Sequence, residues 1–183
     1  MALIGALLLI IVVSTALGGI VAIAGLERRA AAAYRLLIEL RAAAEGAAAM
    51  TVGELRTADW NAALAGGGSA YWMLPQAGVD AAALTATVQA ETMMAGGHGA
   101  DTPVWQVFAQ APWPAVTGQQ GRAQVLVWVA DDREESDGDP RRDGNGLLLV
   151  RAVAVAGAAT AWTEALCSRE PDGRIRMRHV RSW

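Results

Sequence analysis

Residues 1–25 read MALIGALLLIIVVSTALGGIVAIAG, and the first charged side chain of the chain is Glu27. Residues 1–26 hold no charge, no Pro, no Asn and no Gln. As a helix they would span ~39 Å, more than the ~30 Å hydrocarbon thickness of a bilayer. A secretory signal needs a basic leader and a shorter apolar core. No Lys or Arg precedes this core, and the core is too long, so the segment is expected to stay with the protein. As a simple anchor it raises a problem of orientation. Arg28 and Arg29 would be its only flanking charges, and the positive-inside tendency would leave the remainder of the chain in the cytoplasm. The problem disappears if a short basic leader has been removed and Met1 is a mature N-terminus. Met1 is then the expected site of N-terminal processing and methylation.

Beyond Glu27 the pattern becomes amphipathic. Leu36, Leu37, Leu40, Ala44 and Ala47 recur at helical spacing and predict one apolar stripe. Arg35 with Glu39 and Arg41 with Glu45 stand four residues apart, spacing suited to ion pairs on the polar side. A helix of this length cannot bury its first half in a domain of the size that follows, so lipid or other helices must cover it. Gly5 lies within the apolar run, and Gly18, Gly19 and Gly25 interrupt a strong helix former. Two readings stand for the interrupting glycines: close packing between helices, or a segment able to stretch or melt on moving out of the membrane.

Residues 1–46, MALIGALLLIIVVSTALGGIVAIAGLERRAAAAYRLLIELRAAAEG, resemble the mature N-terminus of type IV pilin-like proteins. They are most similar to PilX-type minor pilins and the pseudopilins of type II secretion. The resemblance implies cleavage by prepilin peptidase, insertion in the bacterial inner membrane with the head in the periplasm, and assembly of the apolar helix with other pilin subunits. It further implies a role as a pilus or pseudopilus subunit, with a function in adhesion, motility, DNA uptake or secretion. Most pilins carry glutamate at the fifth mature position, where this chain has Gly5, which points to a minor or tip subunit. The alternative is a single-span periplasmic binding protein that does not polymerise.

The rest of the chain reads as a β-rich head. Gly46 and Gly53 mark an expected loosening of the helix, though MTVGELRTADWNAAL could carry it on for some turns, and residues 66–103 are Gly-rich connections in which QAGVDAAALTATVQAETMM could form a short helix. TPVWQVFAQA, RAQVLVWVAD, NGLLLVRAVAVAG, ATAWTEALCSR and GRIRMRHVRSW are strand-like runs bounded by Gly, Pro or Asp. The expected fold class is α+β, a long N-terminal helix packed against a C-terminal antiparallel sheet, the pilin-like fold. The expected divisions are 1–26 for the membrane or filament-core half, 27–55 for the amphipathic half and 56–183 for the head. Trp105, Trp128 and Trp162 fall inside strand runs and are expected in the helix–sheet core.

For chemistry the chain offers little. Its 15 basic residues are all Arg and its net charge is −3, a poor balance for binding nucleic acid. Cys167 is the single cysteine, which rules out an intrachain disulfide; it is expected to be a buried core residue. With His98 and His179 it forms no zinc spacing or nucleophile motif, so no catalytic residue is expected. The densest constellation is DDREESDGDPRRDGNG, residues 131–146. It reads either as a solvated hairpin loop or as a calcium loop, with Asp137, Asp139, Asp143 and Asn145 as oxygen ligands. Calcium is accordingly the one candidate cofactor. Arg174, Arg176 and Arg178 alternate with Ile175 and Met177, so the three guanidinium groups are expected on one strand face, either solvated or meeting an anionic surface.

Overall fold

The structure is a computed structural model that describes residues 2–67, 79–96, 99–113, 123–134 and 137–183. Trp72, His98 and Glu135 fall outside the described residues, as does Met1, the expected site of processing.

Helix α1 (Ala2–Leu55) runs without a break through Gly5, Gly18, Gly19, Gly25, Gly46 and Gly53. The expected loosening at Gly46 is therefore absent, for a reason that lies in packing. A Cβ built on Gly46 would come within 2.7 Å of the Trp113 ring. Glycine is present there so that an indole can approach the helix backbone, and the surrounding alanines and leucines carry the helix past it.

The chain divides into two units, Met1–Ile38 and Glu39–Trp183. The boundary falls within the expected amphipathic half, because the first unit is exposed almost throughout. In the second unit the last turns of α1 bury Leu40, Ala43, Ala44, Ala47, Ala48, Val52 and Leu55. Leu37, expected in this stripe, is 48% exposed. On the polar side Arg41 donates to Glu45 at 3.0 Å.

After α1 come α2 (Trp60–Leu64) and α3 (Ala81–Met94). Each starts on an aspartate cap: Asp59 accepts from the amides of Asn61 and Ala62, and Asp80 from that of Ala83. The ambiguous Ala- and Thr-rich run is thus a helix of 14 residues.

Five strands follow, β1 (Gln106–Pro112), β2 (Gln124–Asp131), β3 (Leu147–Ala156), β4 (Ala159–Arg169) and β5 (Ile175–Ser182). They form one antiparallel meander in sequence order. The β3–β4 hairpin closes through Gly157 and Ala158, between paired Ala156 and Ala159. Gly157 has φ +61°; a left-handed residue first in a two-residue turn suits the right-handed twist of the strands.

Both faces of the central strands are covered. Leu126, Trp128 and Ala130 of β2 face α3, clustering with Val88, Trp105 and Val153, while Leu84 and Trp162 pack at the margin. The intervening Val125, Val127 and Val129 point to the opposite face by strand alternation and are equally buried. That second face is the one that α1 covers, since Ser182, in register with buried Thr163, donates to Glu45 of α1 at 2.9 Å. Of the tryptophans expected in the core, Trp105 and Trp128 are buried, on the α3 face, while Trp162 is only half-buried at its margin. The two buried indole N–H groups find partners there: Trp128 donates to Thr85 at 2.8 Å and Trp105 to Thr92 at 2.7 Å. The α+β expectation holds, with a third layer supplied by α3.

Candidate functional site

The first feature is the apolar half of α1. Leu3, Ile4, Leu7 to Val13, Leu17, Ile20, Val21, Ile23 and Leu26 are all between 49% and 84% exposed. The helix is long and apolar enough to cross a membrane, and its most apolar window is not buried at all. Its polar side chains do not spoil this. The Thr15 hydroxyl bonds back to the carbonyls of Ile11 and Val12 at 3.0 and 2.9 Å, so the group is satisfied within the helix. Among the described residues, nothing beyond the adjoining residues and the helix's own nearby backbone lies within 4 Å of a Cβ built on Gly5, Gly18, Gly19 or Gly25. These four positions are bare backbone, open to the approach of another helix.

The second feature is the acidic loop between β2 and β3. Its carboxylates serve the loop's own backbone. Asp137 accepts from the amide of Asp139 at 3.0 Å, and Asp139 from that of Arg141 at 3.2 Å. Asp143 accepts from Gly146 at 2.7 Å, Asn145 accepts from Leu147 at 2.7 Å, and the Asn145 amide donates to Asp132 at 2.9 Å. Loop and head are tied together by Asn61, which accepts from the Asp143 amide, and by Asp101, which accepts from Gly138. Burial pushes the Asp143 carboxyl above the usual aspartate range, and its hydrogen bond from Gly146 opposes that rise. Among the described residues no group of three or more His, Cys, Asp or Glu is arranged to hold a metal.

The arginine strand is paired locally. Arg174 lies 3.3 Å from Asp172, while Arg176 and Arg178 reach Glu170 at 3.9 and 3.5 Å. Arg176 stands opposite Ser168, and Arg178, the extra residue of a bulge between the Met177 and His179 pairings, turns its Nε to the Ser168 hydroxyl at 2.8 Å, so these two guanidinium groups meet at the same Glu170 oxygen. Cys167 is fully buried, and burial pushes its thiol up to about 12, so it is an inert core residue.

The sequence offered no warning of the third feature, a cleft of about 440 Å³ on the α3 face. Its floor is Leu149, Arg151, Glu164 and Leu166, and Glu91 and Trp183 stand beside it. The Arg151 side chain is only 6% exposed and pairs with Glu91 of α3. Its guanidinium lies between two indoles, 4.9 Å from the Trp162 ring centre and 5.3 Å from that of Trp183. Trp162 in turn stacks on Trp128 at 5.9 Å. Arg151 Nε has no hydrogen-bond partner, and the Glu164 carboxylate lies 4.0 Å from it. The cleft was hidden because its members are brought together only by the sheet register, Arg151 standing opposite Trp128 on one side and Glu164 on the other.

Comparison with protein-family models, curated proteins and solved structures gives no match to this chain.

Proposed function

We propose that the protein is a structural subunit of a type IV pilus or pseudopilus, held in the bacterial inner membrane by the first half of α1 until it packs against sister subunits. One observation carries this reading. A single unbroken helix presents a fully exposed apolar half, then turns one stripe of its last turns into the core of a polar-surfaced head. Burying that exposed half is favourable by roughly 25 cal/mol per Å² of apolar surface, whether lipid or protein provides the cover. Small residues at Gly5, Gly18, Gly19 and Gly25 leave the backbone open to neighbours. A helix that met only lipid would gain nothing from such openings. Gly5 supports a minor or tip position, because no carboxylate is present there to pair with a neighbouring amine. The role in this reading is structural. The test is shearing. Cells expressing the protein should release fibres that contain it, whereas a protein that stays wholly with the cell membranes under conditions where pili are shed would overturn the assembly reading.

A further inference from the structure

The cleft beside Arg151 is a built feature, and its chemistry is selective. Carboxylates of Glu91, Glu164, Asp132 and Glu134 and the guanidinium groups of Arg151, Arg181 and Arg133 all border it. An anion would meet the carboxylates, and a cation the arginines. A neutral ligand avoids both repulsions, provided that it can donate to carboxylates and accept from guanidinium groups. Vicinal hydroxyls do both at once.

Trp183 supplies the second half of the argument. Its backbone is fixed to the sheet by paired bonds with Trp162, at 2.8 and 3.1 Å. Arg151 lies over its ring, yet the residue remains 55% exposed. A large apolar ring held this rigidly costs little entropy to use as a contact, and an amphipathic indole beside polar groups suits a ligand with one apolar face. The cleft volume falls within the ordinary range for small-molecule sites. A pyranose ring has both required properties, a face of C–H groups and an edge of hydroxyls.

We propose that this cleft binds a sugar ring of a neutral glycan, stacked on the face of the Trp183 ring that Arg151 leaves open, with its hydroxyls shared between Glu164 and Arg181. Glu91 holds Arg151 in place against the other face of that ring and is a positioning residue. The proposal does not depend on polymerisation, so it stands or falls separately from the filament reading.

The experiment uses the full chain in a detergent that carries no sugar headgroup, titrated with methyl glucoside, methyl galactoside and methyl N-acetylglucosaminide while tryptophan fluorescence is followed. At least one should produce a saturable change. Trp183→Ala should weaken it by about tenfold or more, as expected for an aromatic anchor, whereas Trp183→Phe should retain most of the binding. Glu164→Ala, a change at a partly exposed position, should weaken it while leaving the circular dichroism spectrum unaltered. No saturable response to any of the three glycosides would overturn the proposal. So would binding that survives Trp183→Ala, which would place the sugar elsewhere.

Discussion

The ring of Trp113 occupies the space that a side chain at Gly46 would fill, with 2.7 Å separating the nearest ring carbon from a Cβ built there. Trp113 is pinned by its own backbone, whose amide donates to Ala123 at 2.8 Å. Gly46→Ala should gain about 1 kcal/mol of helix propensity but lose about 1–3 kcal/mol to overpacking. We expect a net loss and a lower Tm. Gly53→Ala is the control, since nothing lies within 4 Å of its Cβ position. It should raise stability by up to about 1 kcal/mol. Thermal melting of the two variants checks the contrast; equal shifts would mean that the ring does not confine Gly46.

The pair formed by Arg151 and Glu91 is uneven, with the arginine side chain 6% exposed and the glutamate 47%. Removing an exposed partner usually costs about 0–1 kcal/mol. Here Glu91→Gln leaves a buried guanidinium with only the distant Glu164 carboxylate, so a loss of about 2 kcal/mol is expected. Denaturant unfolding with an unchanged slope would report it.

Thr85 and Thr92 on α3 each accept an indole N–H from the sheet side. Thr92→Val keeps the shape and deletes the acceptor, leaving the buried Trp105 N–H unpaired, at a cost of about 1–3 kcal/mol. In the Trp105→Phe background the same change should cost less. A double-mutant cycle measures the difference, and purely additive losses would show that the bond contributes no coupling.

Two carboxylates should bend the pH profile of stability in opposite directions. The hydrogen bond from Arg41, followed by that from Ser182, holds Glu45 below the usual glutamate range. Its contribution is present above the ordinary glutamate value and is lost as pH falls through the lower folded-state value. Burial raises Asp143, so the folded state holds that proton to higher pH than the unfolded chain. Its cost grows as pH rises from the ordinary aspartate range through the raised value, and is complete above it. Asp143→Asn should therefore stabilise the head at neutral pH, with the gain vanishing in acid, while Glu45→Gln should remove stability at neutral pH and little in acid. Chemical denaturation across pH checks both signs.

The five strands were legible because each alternating apolar run stops at a Gly, Pro or Asp that the turns then use, as at Gly157 and Gly173. The burial of Leu40, Ala44 and Ala47 was legible for a similar local reason, the helical repeat. Gly46 misled because glycine signals conformational freedom in a sequence, whereas its use here depends on a tryptophan 67 positions away along the chain. The second covered face was only half visible, since an Ala- and Thr-rich run has no decisive period. The Arg151 cleft was invisible. Its ion pair spans 60 positions and follows from strand register, and no local pattern encodes that. The bulge at Arg178 was also invisible, since no local pattern announces an extra residue in a strand.

The central claim is that residues 3–26 exchange lipid for sister helices. The most direct measurement is oxidative cross-linking of a variant with one new cysteine, Ile20→Cys, at a position 63% exposed. The native Cys167 is buried and will not compete. A disulfide-linked dimer in sheared fibres is the predicted result. A full-length chain that is monomeric and soluble without detergent, and yields no dimer, would contradict the account.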